Sequence, residues 1–227
     1  MKIISLGFTC YIKSLIQLTK YASQTDFFDW MNSFSLTSII LCIENNGNIF
    51  DNIIKSPIDV DVNKESIYYN TLYNFRLPHE KDINISIKNY KRRFERLINY
   101  RNINNSYIFI RIINMDGRYG CKKEELSDNY NQLNYDKLIK LLPINSKILL
   151  FTHIKLLSED KIKIYNKFII IDDIINPEFC FYGDNLKHKD KIIECYNKCF
   201  EYIDKNFHNL NVIDIQKYIS NKNIFQE

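Results

Sequence analysis

The chain has 227 residues, 45% of them hydrophobic and 14% aromatic, which supplies a packed core and excludes a disordered chain. Its net charge of +4, from 31 basic and 27 acidic residues, excludes nucleic-acid binding driven by charge alone, which needs a concentrated basic patch. Only 5 glycines and 4 prolines leave few breaks, so long elements are favoured over an all-β fold rich in turns.

Residues 2 to 6, "KIISL", read as a short buried strand, and Gly7 interrupts it. From Cys10 the positions Ile12, Leu15, Ile16 and Thr19 follow helical spacing, which predicts a helix to about Tyr21. "TDFFDWMNSFS" is aromatic and irregular. Ser35 or Thr37 then caps a helix, "LTSIILCIENN", that stops near Gly47. Residues 48 to 66 read as loop and short turns, and "SIYYNTLYNFRLPHE" as strand-forming residues broken at Pro78. A basic amphipathic helix follows, with Ile87, Tyr90, Phe94, Leu97 and Ile98 on one stripe and Lys88, Arg92, Arg93 and Arg96 largely elsewhere.

"SYIFIRII" is the clearest buried strand, ended by the turn residues "MDGRYG". A helix-forming stretch covers about 123 to 142, and "KILLFTH" and "KFIIIDD" are two more buried strands. "HKDKIIECYNKCFEYIDKNF" reads as a long helix, and "LNVIDI" as a final strand before a terminal helix. Apolar strands alternating with helices predict one α/β domain over residues 1–227, three layers deep, with a mainly parallel central sheet and helices on both faces. No apolar run approaches the roughly 18 residues of a membrane span, and Lys13 interrupts the run that could mimic a signal peptide. The expectation is a cytoplasmic chain whose six cysteines, lacking framework spacing, are free thiols.

Cys10 is the focus of the chemistry. It follows the first strand and precedes its helix, where orphan backbone N–H groups and the helix dipole favour a thiolate. The same N–H groups suit an oxyanion in acyl transfer, and Gly7 lets the backbone turn tightly. The alternative is a cysteine packed in the core at a helix start. A cysteine nucleophile needs a base, and the histidines are His79, His153, His188 and His208. His79 is the first choice, in a loop after a strand and next to Glu80, a carboxylate that could orient it.

"ISLGFTC", "FFDW", "FRLPHE", "YKRRFERL" and "YIFIRI" occur in that order and resemble a family described as papain-like cysteine peptidases, mainly over residues 1–115. Typical members show a Leu-Gly-x-x-Cys start, a Phe-Asp-Trp element, a His followed by an acidic residue, an Arg-containing helix and a strand ending near an Arg. The matching positions are Cys10, Asp29 with Trp30, His79, Arg93 and Arg111. The resemblance implies a cysteine peptidase acting on a peptide or acyl substrate, and the family name implies an α+β alternative to the three-layer fold; no cofactor or metal is expected. The strand–turn–nucleophile order is also similar to three-layer esterases of the SGNH type, in which a late Asp-x-x-His precedes the last helix. "DNLKH" has one extra residue, and it makes His188 the second choice of base.

Three further constellations are weaker. Asp29 either orients a catalytic histidine or turns the chain while Phe27, Phe28 and Trp30 fill the core. Cys180, His188, Cys195 and Cys199 lack a short Cys-x-x-Cys pair, and Ile192, Tyr196 and Phe200 beside them favour packing over zinc. Asp172 and Asp173 end a strand without a glycine-rich phosphate loop. The leading expectation is a hydrolase or acyl transferase with Cys10 as nucleophile, His79 or His188 as base and Asp29 as its orienter. The rival is a non-catalytic protein that grips an anionic glycan or phosphate through Arg93 and Arg111.

Overall fold

A computed structural model describes residues 1–7, 11–22, 24–33, 35–60, 66–113, 128, 129, 131–153, 162–165, 168–174, 193, 194, 197, 200, 201 and 203–205. The elements are β1 (Lys2–Ser5), α1 (Tyr11–Leu18), β2 (Asn32–Ser33), α2 (Leu36–Glu44), β3 (Ile53–Val60), β4 (Ser66–Asn70), β5 (Phe75–Leu77) and α3 (Ile83–Asn99). After a single 3-10 turn at Tyr100–Asn102 come β6 (Tyr107–Ile113), α4 (Gln132–Leu141), β7 (Ser146–His153), β8 (Ile162–Tyr165) and β9 (Phe168–Ile174).

The strands form two sheets. The larger has the order β1-β6-β7-β9-β8. Its pairings β1–β6, β6–β7 and β7–β9 are parallel, and β8 runs antiparallel to β9. Tyr107 through Arg111 of β6 are buried without alternation, as a strand covered on both faces requires. The smaller sheet, β2-β5-β4-β3, is antiparallel throughout. The mixed α/β content agrees with the sequence expectation, and the second sheet does not.

Residues 48 to 66, read from the sequence as loop, contain β3. That edge strand carries Pro57 and a register shift between Lys55 and Val60. Proline is tolerated on an edge because a missing N–H there breaks no ladder, and together with the shift it hides the period-2 pattern. The helix expected over 123 to 142 is found at its end, as α4, while 114–127 lie outside the described residues. The expected last strand, "LNVIDI", and the terminal helix also lie outside them. The long late helix is represented by helical residues between 193 and 205. They lie against the end of α1, where Lys20 Nζ is 2.6 Å from Glu201 Oε1 and the Lys20 amide donates to Asn197 Oδ1 at 3.0 Å.

The helix ends follow local chemistry. Ser35 caps α2, accepting from the Ser38 amide, and Asp82 caps α3, accepting from the amides of Asn84 and Ile85. The N-cap at Asp82 starts α3 three residues before the basic stretch that predicted it. At its other end α2 closes with Gly47 N–H to Cys42 C=O at 2.8 Å and Asn46 N–H to Ile43 C=O at 3.2 Å, with Asn46 at φ 57°. That is a Schellman closure, which satisfies two carbonyls the helix itself cannot.

Gly47 has a second constraint. A Cβ on it would stand 2.3 Å from Phe94 Cδ2, and its φ of +68° is left-handed. Phe94 of α3 therefore packs directly on the α2 terminus, beside Phe27 at 5.1 Å between ring centroids. Gly47→Ala is expected to cost about 2 to 4 kcal/mol, from left-handed strain plus overpacking. Urea unfolding of the variant against the wild type measures this. A loss under about 0.5 kcal/mol would mean that Phe94 moves aside freely.

Candidate functional site

The larger sheet brings the ends of β1 and β6 together above the smaller sheet's first strand. Leu6 continues the β1 ladder, its amide donating to Ile110 C=O at 2.7 Å, and the chain then turns at Gly7 with φ +74°. A Cβ on Gly7 would lie 2.2 Å from Ser33 Oγ of β2, so the turn needs glycine for conformation and for close approach. Three residues later the sequence reaches Cys10, and α1 begins at Tyr11. Cys10 itself lies outside the described residues. The expected strand precedes it, as β1, and the expected helix follows it, as α1.

Residues 26–29 are the junction between α1, α3 and the core. Phe27 and Phe28 are fully buried, edge to face at 4.8 Å, and Asp26 and Asp29 flank them, each about 1% exposed. Asp29 Oδ2 is 2.9 Å from Lys13 Nζ of α1 and accepts the Asp26 amide at 2.6 Å. Lys13 is equally buried and also donates to Gln24 C=O at 3.0 Å. Burial pushes the Asp29 carboxyl above the usual carboxylate range, and the Lys13 charge works against that push. The described bonds of Asp29 go through Oδ2 to Lys13 and to backbone, and its buried Oδ1 has no hydrogen-bond partner among the described residues.

Asp26 has a different set of partners. The Tyr100 hydroxyl donates to its Oδ1 at 2.8 Å, Lys2 Nζ lies 3.3 Å from its Oδ2, and Arg96 Nε lies 3.5 Å from its Oδ1. Lys2 also bonds the Tyr100 hydroxyl and sits 4.0 Å from the centre of that ring. Burial lowers the Lys2 ammonium below the usual lysine value and raises the Tyr100 phenol. One loop therefore fastens β1, α1 and α3 through two carboxylates.

Trp30, the next residue, reaches the first-choice base. Its ring lies 5.4 Å from that of His79 at an interplanar angle of 73°. His79 is exposed, just after β5, in the loop predicted for it. Glu80, considered as its orienter, accepts a hydrogen bond from Ser86 Oγ at the start of α3. The second-choice base His188 lies outside the described residues, as do Cys180, Cys195 and Cys199 of the zinc alternative. Cys42 is fully buried, and burial pushes its thiol far up, so it is a packing cysteine.

The two arginines matched by resemblance have opposite surroundings. Arg93 is half-buried, with its guanidinium 4.8 Å from the centre of the Tyr90 ring and a buried Nη1 that has no hydrogen-bond partner among the described residues. Arg111 is fully buried. It donates from Nε to Asn129 Oδ1 (2.6 Å), from Nη1 to Leu6 C=O (3.1 Å) and from Nη2 to Ser33 C=O (2.8 Å). A guanidinium so enclosed is not placed to grip a ligand from solvent, which corrects that part of the rival expectation.

Lys13, Asp26, Ser33, Arg96 and Tyr100 were not singled out by their chemistry in the sequence. Lys13 had a signal, because it shares the i, i+3 spacing of the buried Ile16 and Thr19 and so interrupts an inward stripe with a charge. Comparison with protein-family models, curated proteins and solved structures finds no match. Among the described residues no helix is long and apolar enough to cross a membrane.

Breaking a buried pair leaves an uncompensated charge, whereas replacing both partners by apolar groups does not. Lys13→Met alone is therefore expected to cost about 3 to 5 kcal/mol, and Lys13→Met with Asp29→Leu clearly less. Denaturant unfolding of the four proteins of this double-mutant cycle reads the coupling. Simple additivity would show that the pair does not act as a unit.

Proposed function

We propose that the chain is a cytoplasmic hydrolase or acyl transferase of the cysteine-nucleophile type, built as a three-layer α/β domain, with Cys10 as nucleophile and His79 as base. His188 is the second candidate for the base. The observation that carries the reading is the Asp29–Trp30 step. Asp29 holds α1, whose first residue follows Cys10, through Lys13 at 2.9 Å, and Trp30 contacts His79 at 5.4 Å. The helix that Cys10 precedes and the histidine nominated with it thus share one support. Lys13 is three residues beyond Cys10, at most about 11 Å along the chain. The left-handed turn at Gly7 further supports a nucleophile presented between strand and helix.

In this mechanism His79 takes the thiol proton and the sulfur attacks the acyl carbonyl carbon. Backbone N–H groups beyond Gly7 receive the oxyanion. Collapse of the tetrahedral intermediate expels the leaving group, which takes the proton back from the imidazolium, and leaves a thioester on Cys10. Water or another nucleophile then attacks the thioester, giving up a proton to His79 and restoring the thiol. Asp29 enters as the anchor of α1 instead of the orienter of the base. A peptide substrate follows from the family resemblance, and the site chemistry specifies only an acyl group.

A second reading, a binder of anionic ligands, is favoured by one observation, the buried Nη1 of Arg93 without a partner among the described residues.

Labelling separates the two readings. With iodoacetamide at about pH 6.5, Cys10 is expected to react faster than the other five cysteines. Cys10→Ser and His79→Ala are expected to abolish turnover of an activated acyl ester while costing less than about 1 kcal/mol in stability, as a helix-start serine and an exposed histidine position allow. Uniformly slow labelling, or turnover that survives Cys10→Ser, contradicts the enzyme.

A further inference from the structure

Two short loops meet through the ring contact of Trp30 with His79, near the start of α3. Asp29 precedes Trp30 and Glu80 follows His79, so each loop brings a carboxylate to the junction. From α3 come Tyr90 and, three residues on along the same face, Arg93, whose guanidinium lies 4.8 Å from the centre of the Tyr90 ring. Burial raises the Tyr90 phenol above the usual tyrosine value. The charges of Glu80 and Asp29 raise it further and that of Arg93 lowers it, so all three lie within electrostatic reach of the hydroxyl. Three buried polar atoms here have no hydrogen-bond partner among the described residues: Asp29 Oδ1, the Tyr90 hydroxyl and Arg93 Nη1. Glu80 stands near that hydroxyl without completing a hydrogen bond to it, and takes the Ser86 hydroxyl instead. Buried polar atoms are normally paired, so three orphans at one junction call for a common partner.

We propose that this junction binds a small zwitterion of the α-amino acid class, its ammonium on Asp29 Oδ1 and its carboxylate on Arg93 Nη1 and the Tyr90 hydroxyl. The orphaned atoms select the class. Arg93 Nη1 can only donate, and a guanidinium is best matched by an anionic acceptor. Asp29 Oδ1 accepts, and Glu80 adds a second negative charge beside it, which disfavours a ligand that is anionic throughout. A purely cationic ligand would leave the guanidinium without its partner. Lys13 already offsets the charge of Asp29, so Glu80 and Arg93 remain as one charge of each sign, and a zwitterion complements both. Tyr90 and Asp29 form a buried floor, whereas half-buried Arg93 and Trp30 and exposed His79 form a rim that reaches solvent. The site requires no reaction at Cys10. It rests on the second reading's use of Arg93 for an anionic group and adds the cationic half of the ligand.

Isothermal titration of the full chain with the standard α-amino acids, one at a time, tests the site. Each one that binds is compared with two one-ended analogues, the carboxylic acid lacking the ammonium and the amine lacking the carboxylate. The expected result is saturable binding of at least one amino acid, with both analogues weaker by roughly tenfold or more, the worth of one charge-assisted hydrogen bond. Arg93→Met is expected to weaken that amino acid by a similar factor. Tyr90→Phe, which removes only a hydroxyl, is expected to weaken it several-fold, and it decides alone if Arg93→Met does not fold. Absence of saturable binding by any amino acid overturns the site, as does equal affinity in the wild type and in Tyr90→Phe. A carboxylic acid that binds as tightly as its amino acid leaves Arg93 as a simple anion binder. That outcome keeps the second reading and overturns the zwitterion, whereas loss of every probe ends both.

Discussion

The guanidinium of Arg111 reaches from β6 of the larger sheet to β2 of the smaller one and to the end of β1, all inside the core. A buried charge is expensive unless its donors are satisfied, so the oxygens around it must stay where they are. That requirement couples the two sheets more tightly than apolar contact would, because apolar contacts allow sliding and a planar fork does not. It also explains why Gly7 and Ser33 approach so closely. The strand pairing of β1 with β6, which extends from Lys2–Tyr107 to Ser5–Ile110, brings the Leu6 carbonyl to the arginine.

A second constraint acts at the other end of β1, at Lys2. Asp26 and Asp29, spaced three apart around a buried phenylalanine pair, distribute two carboxylates among three elements. Asp26 takes Lys2, Arg96 and Tyr100, joining the first strand to the end of α3, while Asp29 takes Lys13 and joins α1. Such pairs add little net stability compared with apolar packing, and their value is in specifying one arrangement. Here the arrangement specified is that of β1, α1 and α3 around the loop of Asp26 and Asp29, whose next residue, Trp30, contacts His79.

The strands β6 and β7 were legible because the runs "YIFIRII" and "KILLFTH" have no competing helical period. The α3 stripe was legible for the converse reason: Tyr90, Phe94 and Leu97 are buried at helical spacing, while Ile87 and Ile98 lie half-buried beside them. The smaller sheet was not legible, because its edge strand β3 carries a proline and a register shift and its β2 has only two residues. At the site, His79 was placed correctly in a loop after a strand, since Pro78 marks the break. The partner of Asp29 was missed because a lysine is read as a surface residue by default, and only tertiary contact shows that Lys13 is turned inward. The use of Arg111 was missed for a related reason, since its acceptors are mostly backbone carbonyls, which carry no sequence signal.

The central claim is that Cys10 and His79 act as one unit on a shared support. A pH titration of thiolate absorbance near 240 nm, in the wild type and in His79→Ala, tests it most directly. The account predicts a Cys10 ionisation below the ordinary thiol value in the wild type that moves clearly upward when the imidazolium is removed. An ionisation at the ordinary thiol value, or one that is identical in the two proteins, would contradict it.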